Sequence, residues 1–125
     1  MGKSSVAVAD ERFLGSGGVI AVIELVPRPD KHHALLEALR FVEDQVRRKP
    51  ECVFCGVFET TDRTGNVLYM EQWESNKGLD AHIRSGLYLR VLHAIELAAK
   101  APKISFHEVS RTRSMEHIVE LRNPG

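Results

Sequence analysis

The segment 19–26 constrains the fold more than any other part of the chain, because it is apolar at every position except Glu24. It is rich in β-branched residues, too short for a confident helix, and followed by Pro27 and Pro29, so it is predicted to be a strand. A strand that is apolar on both sides needs cover on both faces of its sheet. The fold must therefore supply two apolar surfaces for one sheet.

The next segment has helical periodicity. Four apolar residues follow one another at spacings of four, three and four, which places them on one helical stripe. They are Leu35, Leu39, Val42 and Val46. This pattern predicts a first helix that Asp30 caps and that runs to about Arg48, where Pro50 prevents its continuation.

The rest of the chain adds three strands and a second helical region. The predicted strands are 52–59, 66–74 and 103–109. Ser75 is predicted to cap the second helical region, which is interrupted near Ser85 and Gly86 and runs to about Lys100. The order of elements is therefore βαββαβ.

This order predicts a ferredoxin-like α+β fold, in which a four-stranded antiparallel sheet carries its helices on one face. Two helices can cover only that one face. The simplest cover for the other face is the same sheet of a second copy, because buried apolar surface contributes roughly 25 cal/mol per Å². The sequence therefore predicts a homodimer joined sheet to sheet, as a dimeric α/β barrel.

The predicted domain spans 18–110 and lies between two extensions. Residues 1–17 are rich in Gly and Ser and are predicted to form a flexible tail. The C-terminal tail, 111–125, contains a short amphipathic helix over 114–122. That helix is expected to bury Met115, Ile118, Val119 and Leu121.

Composition excludes several classes of partner. Among the 125 residues, 17 Lys and Arg balance 17 Asp and Glu, so the chain lacks the excess basic charge that nucleic-acid binding uses. No apolar run approaches the roughly 20 residues of a membrane span, and the first ten residues lack the apolar core of an export signal. We therefore expect a soluble cytoplasmic protein that binds neither nucleic acid nor membrane.

The two cysteines, Cys52 and Cys55, are flanked by strand-forming residues. Residues three apart in a regular strand point to opposite faces, so these two are not expected to share a disulfide or a metal. Free cysteine packs well as a small apolar side chain. We interpret both as buried core residues.

Strand 66–74 carries the most informative polar residue of the chain. Alternation places Tyr69, Glu71 and Trp73 on one face with Val67. If that face looks toward the helices, a pocket there would hold an aromatic ligand against Trp73, with Glu71 or Tyr69 as its polar contact. The alternative is a core tryptophan beside a salt-bridged glutamate.

Two of the six histidines, His82 and His93, lie in the second helical region. On a continuous helix they would share a face about 16 Å apart, too far for one metal ion. Either could act as a general base or could simply be hydrogen-bonded at the helix surface. No phosphate-binding or dinucleotide motif is present, so neither a metal nor a cofactor is expected. The basic run 47–49 is interpreted as a solvated helix end.

Four stretches of the chain, 19–25, 50–52, 68–75 and 79–85, resemble the antibiotic biosynthesis monooxygenase domain family. The most specific part is Glu-x-Trp-Glu-Ser at 71–75 followed by Leu-x-x-His at 79–82. The resemblance covers roughly 19–109 and implies a dimeric α/β barrel. The family includes cofactor-independent quinol and polyketide-ring monooxygenases, haem-degrading enzymes and members without a demonstrated reaction.

The resemblance implies a cofactor-independent monooxygenase that oxidises a quinol or phenolic small molecule with O2. Trp73 would stack on the ring and His82 or Glu71 would take the phenolic proton. The pocket would be shaped by Tyr69, Tyr88 and His93. Haem degradation is not expected, because the first strand lacks the asparagine of that branch and His93 is one residue out of register. The alternative is a non-catalytic small-ligand-binding or stress-associated barrel.

Overall fold

The computed structural model describes residues 18–123 and contains one four-stranded antiparallel sheet in the order β2-β3-β1-β4. The strands are β1 (Val19–Leu25), β2 (Cys52–Glu59), β3 (Val67–Trp73) and β4 (Lys103–Glu108). The helices are α1 (His32–Val46), α2 (Asn76–Arg84), α3 (Tyr88–Glu96) and α4 (Met115–Arg122). The ferredoxin-like α+β fold predicted from the sequence is confirmed.

The core lies between the sheet and helices α1 and α3. The predicted stripe of α1 is fully buried, and alternate residues of β1 point at it from the sheet. The buried residues of β1 are Val19, Ala21, Ile23 and Leu25, and α3 adds Val91 and Ala94. Each large aliphatic side chain buried in this way contributes roughly 1.5–3 kcal/mol, so this layer fixes the position of α1 over the sheet.

The start of α1 differs from the prediction. A 3-10 turn, Pro29–Lys31, precedes the helix, and no side chain caps the helix at Lys31. Proline suits the first position of a helical turn because its φ is already fixed and its missing N–H has no partner to lose. Pro29 therefore starts the turn, Asp30 lies inside it, and the prediction that Asp30 caps the helix is wrong.

The second helical region is interrupted where the sequence predicts. The Ser75 side chain accepts a hydrogen bond from the Gly78 N–H at 3.3 Å, which confirms the predicted cap. Helix α2 ends at Ser85, whose backbone is extended, and α3 begins three residues later. The region ends earlier than the predicted Lys100, because Ala98 forms a β-bridge with Pro27. The break lets α2 and α3 approach the sheet separately.

A β-bulge in β2 changes the placement of the cysteines. The register shifts between Cys52 and Phe54, so that Cys52 lies opposite Trp73 and Cys55 lies opposite Glu71. The extra residue of a bulge reverses the alternation beyond it. Both thiols therefore lie on the helix-facing side, and the prediction of opposite faces is wrong. Both cysteines are buried, as predicted.

The other side of the sheet, which we call the open face, carries no helix of the described chain. Its apolar residues are Ile20, Val22, Leu68, Met70, Phe54 and Phe58. The rings of Phe54 and Phe58 stack with centroids 6.2 Å apart and lean over Gly56, where a Cβ would lie 2.7 Å from the Phe58 ring. The two phenylalanines are 37% and 45% exposed. The open face is thus a largely apolar surface within one chain.

The C-terminal extension forms the predicted helix α4, but its burial was predicted wrongly. Met115, Ile118, Val119 and Leu121 are all exposed, and no residue of α4 is buried. The helix follows an irregular segment after β4, and its apolar side chains do not reach the core. The tail predicted for 1–17 lies outside the described residues.

Candidate active site between strand β3 and helix α2

The structure brings four of the predicted site residues together in the core. Tyr69, Glu71 and Trp73 alternate along one face of β3, as predicted. That face looks toward the helices, and His82 points down to it from α2. Each of the four side chains is at most 2% exposed. A buried carboxylate needs hydrogen-bond partners, and the neighbouring residues supply them.

Glu71 accepts hydrogen bonds from three side chains. The Tyr69 hydroxyl donates to Oε2, and the Trp73 indole N–H donates to Oε1 at 2.9 Å. His82 Nε2 lies 2.8 Å from Oε2. The glutamate is therefore the centre of a buried network, which we call the Glu71 network: Tyr69, Glu71, Trp73 and His82.

The contacts of His82 assign its tautomer. Its second ring nitrogen, Nδ1, lies 3.2 Å from the Lys49 ammonium nitrogen. A lysine ammonium only donates, so Nδ1 must accept, and the ring proton is assigned to Nε2, which donates to Glu71. The imidazole is then neutral, and its basic lone pair points toward Lys49.

Two aromatic rings hold the imidazole of His82 in place. The Trp73 ring stacks on it with centroids 5.0 Å apart, and the Tyr88 ring meets it edge-on at 5.3 Å. Tyr88 is the first residue of α3 and lies just after the break that follows α2. Burial, and secondarily the charge of Glu71, raise the pKa of Tyr88. His93, the remaining predicted pocket residue, is exposed on α3 and lies outside this group.

A cleft of about 200 Å³ opens onto one side of the Glu71 network. It is lined by Lys49, Pro50, Glu51, Trp73, Gly78, Ala81 and His82. The Glu51 carboxylate accepts a hydrogen bond from the Ser75 hydroxyl at 3.2 Å, and its side chain packs where a Cβ at Gly78 would lie. Trp73 and His82 form part of the cleft wall, although each side chain is at most 2% exposed.

The inner end of the network has no acid or base that titrates near neutral pH. The Cys55 thiol donates to the Tyr69 hydroxyl at 3.5 Å, and burial raises the pKa of Cys55 to about 12. Burial, followed by the charge of Glu71, also raises the pKa of Tyr69 far above its ordinary value. Both groups therefore stay protonated as donors at neutral pH.

The contact of Lys49 with His82 was not predicted from the sequence. The run 47–49 was interpreted as a solvated helix end, which is wrong for Lys49, whereas Arg47 and Arg48 are exposed. Arg47 donates from Nε to the Cys55 carbonyl at 3.0 Å, and Lys49 reaches His82. Arg47 and Arg48 each also pair within their own helix end, with Glu43 at 3.2 Å and Asp44 at 3.1 Å. The sequence did contain one signal for this contact, because Lys49 shortly precedes Cys52, which pairs with Trp73.

Residues 18–123 contain no group of three His, Cys, Asp or Glu side chains placed to hold a metal ion. His82 and His93 lie on separate helices, one buried and one exposed. Over the same part of the chain, no helix combines the length and the apolar character that a membrane crossing requires.

Several solved protein structures have a fold similar to that of this chain. The Mycobacterium tuberculosis protein Rv0793 is 25% identical with a TM-score of 0.66, over 72% of this chain and 92% of that one. A conserved protein from Methanosarcina mazei is 18% identical with a TM-score of 0.69, over 82% and 96%. A candidate antibiotic biosynthesis monooxygenase from Nitrosomonas europaea is 20% identical with a TM-score of 0.65, over 71% and 95%.

No curated protein sequence matches this chain significantly. The family model described as antibiotic biosynthesis monooxygenase matches residues 18–94, which include β1, the whole Glu71 network and Lys49. That match covers more than half of the sequence, and the chain belongs to the antibiotic biosynthesis monooxygenase family.

Proposed function

We propose that this protein is a cofactor-independent monooxygenase that oxidises a quinol or another phenolic ring with O2 in the cleft beside His82. One observation carries the proposal: an imidazole held by a buried carboxylate at Nε2 contacts the Lys49 ammonium at Nδ1, and His82 and Lys49 both line a cleft. A base oriented by a carboxylate is a recurring arrangement for removing a proton from a hydroxyl group. Membership of the family supports the same reaction class.

The proposed reaction begins with transfer of a phenolic proton to His82 Nδ1. The imidazolium that forms lies 2.8 Å from the Glu71 carboxylate, which stabilises its charge. The phenolate is electron-rich and reduces O2 itself, so the protein needs only to bind, deprotonate and exclude water. The ring gains one oxygen atom and the other leaves as water, so that a quinol and O2 give a hydroxyquinone and water. All the electrons come from the substrate.

The other site residues have supporting roles in this proposal. Trp73 lines the cleft and stacks on the His82 ring, while its indole N–H fixes Glu71. Tyr69 holds the second oxygen of Glu71, and Tyr88 holds the His82 ring edge-on. Glu71 therefore positions His82 and does not itself contact the substrate. His93 has no role here.

We also propose that a second copy of the chain covers the open face, as the resemblance implies for its family. The exposed Phe54 and Phe58 rings and the apolar centre of that face support this arrangement. We further propose the cytoplasm as the compartment, because both cysteines are thiols, the form that a reducing environment maintains.

The dimer is tested by light scattering during size-exclusion chromatography. The wild type is expected at twice the chain mass of 14.0 kDa. Phe58→Asp, which places a charge on the open face, is expected to shift it toward the monomer. Leu89→Asp is the matched control, since Leu89 is also exposed but lies on α3. A monomeric wild type, or equal effects of the two substitutions, would contradict the sheet-to-sheet dimer.

The reaction is tested by incubating the purified, chelator-treated protein with a panel of quinols and phenols. Oxygen consumption is followed against a boiled sample, and the product is analysed after reaction in ¹⁸O2. We expect saturable uptake with one labelled oxygen atom in the product and the second in water. Absence of uptake across the panel, with the protein folded, would contradict the monooxygenase.

One observation favours a non-catalytic small-ligand-binding or stress-associated barrel instead. The Glu71 network is hydrogen-bonded throughout and almost fully buried, as a purely structural cluster would be. Such a protein would bind phenols and change the emission of its single tryptophan without consuming oxygen. The same panel, read by fluorescence, separates the two functions.

A further inference from the structure

Lys49 is the cation of the cleft. It is half-buried, lines the cleft, and contacts His82 Nδ1 at 3.2 Å. Among residues 18–123, no carboxylate lies within ion-pair distance of its ammonium, whereas the neighbouring Arg47 and Arg48 both pair with acids of α1. Among the described residues that line the same cleft, Glu51 is the one acid, and its carboxylate accepts a hydrogen bond from Ser75. The ammonium therefore has no opposite charge beside it in the described chain.

The charges of the site show what this ammonium could bind. With the His82 tautomer assigned above, a carboxylate, a neutral imidazole and an ammonium follow one another from Glu71 to Lys49. If a phenol gives its proton to His82, the imidazolium pairs with Glu71 and the new phenolate pairs with Lys49. Every charge then lies beside an opposite one, and the total charge of the site is unchanged. Ion pairs and charge-assisted hydrogen bonds of this kind are about twice as strong as neutral ones.

We propose that Lys49 is the specificity-determining residue of the cleft, which selects aromatic ligands that present an ionised ring hydroxyl over neutral rings of the same shape. The phenolate oxygen lies between the Lys49 ammonium and His82 Nδ1, in place of their direct contact. This inference names the substrate class of the site proposed above and, for catalysis, rests on that function. The binding preference itself does not depend on turnover.

The test measures binding without oxygen, using 4-nitrophenol and its methyl ether, 4-nitroanisole, which cannot ionise. The buffer is acidic enough to keep most free 4-nitrophenol protonated, so that bound phenolate is seen as yellow absorbance. We expect the full-length wild type to bind 4-nitrophenol about tenfold more tightly than 4-nitroanisole, a preference equivalent to about 1.4 kcal/mol, and to show the phenolate spectrum.

Variants separate charge binding from a structural role. Lys49→Met is expected to lose the preference and the phenolate spectrum while binding both ligands with the affinity of 4-nitroanisole. Lys49→Arg, which keeps the charge, is expected to retain both signals. Lys77→Met is the matched control, because Lys77 is exposed on α2 and does not line the cleft. Urea midpoints establish that each variant is folded.

Several outcomes would overturn the inference. They are equal affinity of the wild type for the two ligands, no binding of 4-nitrophenol, or a phenolate preference that persists in folded Lys49→Met. Loss of the preference in Lys49→Arg together with Lys49→Met would show a lysine-specific structural contact instead. If phenolate selectivity depends on Lys49 but no compound of the quinol panel consumes oxygen, this inference stands and the monooxygenase fails. If a compound of the quinol panel consumes oxygen but folded Lys49→Met keeps the phenolate preference, the monooxygenase stands and this inference fails.

Discussion

Glu71→Ala is expected to lower the free energy of unfolding by about 3–5 kcal/mol, because removing one member of a buried charged network leaves its partners unpaired. The substitution deletes the acceptor of three buried donors: the Tyr69 hydroxyl, the Trp73 indole N–H and His82 Nε2. Water cannot easily replace it, since the glutamate is 1% exposed. The alanine also leaves a cavity between β3 and α2, which adds to the loss.

Urea denaturation at equilibrium measures this effect. Glu37→Ala is the control, because Glu37 is exposed on α1 and pairs only with the neighbouring exposed His33 in the described chain; its effect should stay within about 0.5 kcal/mol. Glu71→Gln keeps the shape and one acceptor oxygen, so its loss should be smaller than that of alanine. If Glu71→Ala unfolds at the wild-type midpoint, the network does not stabilise the fold.

His82→Asn is expected to lower kcat by about 10²- to 10⁴-fold on any substrate that the wild type oxidises, the usual range for removal of a general base. Asparagine has no nitrogen that can accept a phenolic proton. Its shorter side chain does not reach the Nε2 position that donates to Glu71, so a urea midpoint is measured to establish that the variant is folded. Stopped or continuous oxygen-uptake assays measure the rate. His33→Asn is the control, because His33 is exposed on α1 and far along the helix from Lys49.

The pH dependence of the same reaction gives an independent readout. A general base accepts a proton only in its unprotonated form, so the wild-type kcat/KM should fall as the pH is lowered. His82→Asn should lack this acid limb while retaining any dependence that comes from substrate ionisation. An acid limb that is identical in the two proteins would assign the base to another group.

The sequence predicted the architecture because its signals are local. Alternation along β3 placed Tyr69, Glu71 and Trp73 on one face, and a serine cap and a glycine marked the two ends of α2. The unpredicted features arise from tertiary structure. The bulge that turns both cysteines inward depends on pairing between β2 and β3, and the inward turn of Lys49 depends on where α1 meets the sheet. Neither feature has a periodic signature in its own segment.

The resemblance identified Trp73 and His82, but it did not show how they are connected. Trp73 and His82 are connected through Glu71, which accepts a hydrogen bond from each. Predicting this connection would require the distance between β3 and α2. His93 was included among the predicted pocket residues because it lies in the same helical region as His82. The break after Ser85 places it on a separate helix, where it is exposed. The sequence predicted the break itself but not the direction of the helix that follows it.

The separation of the site residues along the chain has a consequence for the order of folding. The whole Glu71 network comes from residues 69–82, whereas Lys49 is 33 residues from His82. Contacts between near neighbours close with less loss of chain entropy than distant ones. A refolding chain is therefore expected to bury Trp73 before it completes the cleft. The cleft can bind a ligand only after α1 has docked and brought Lys49 to His82.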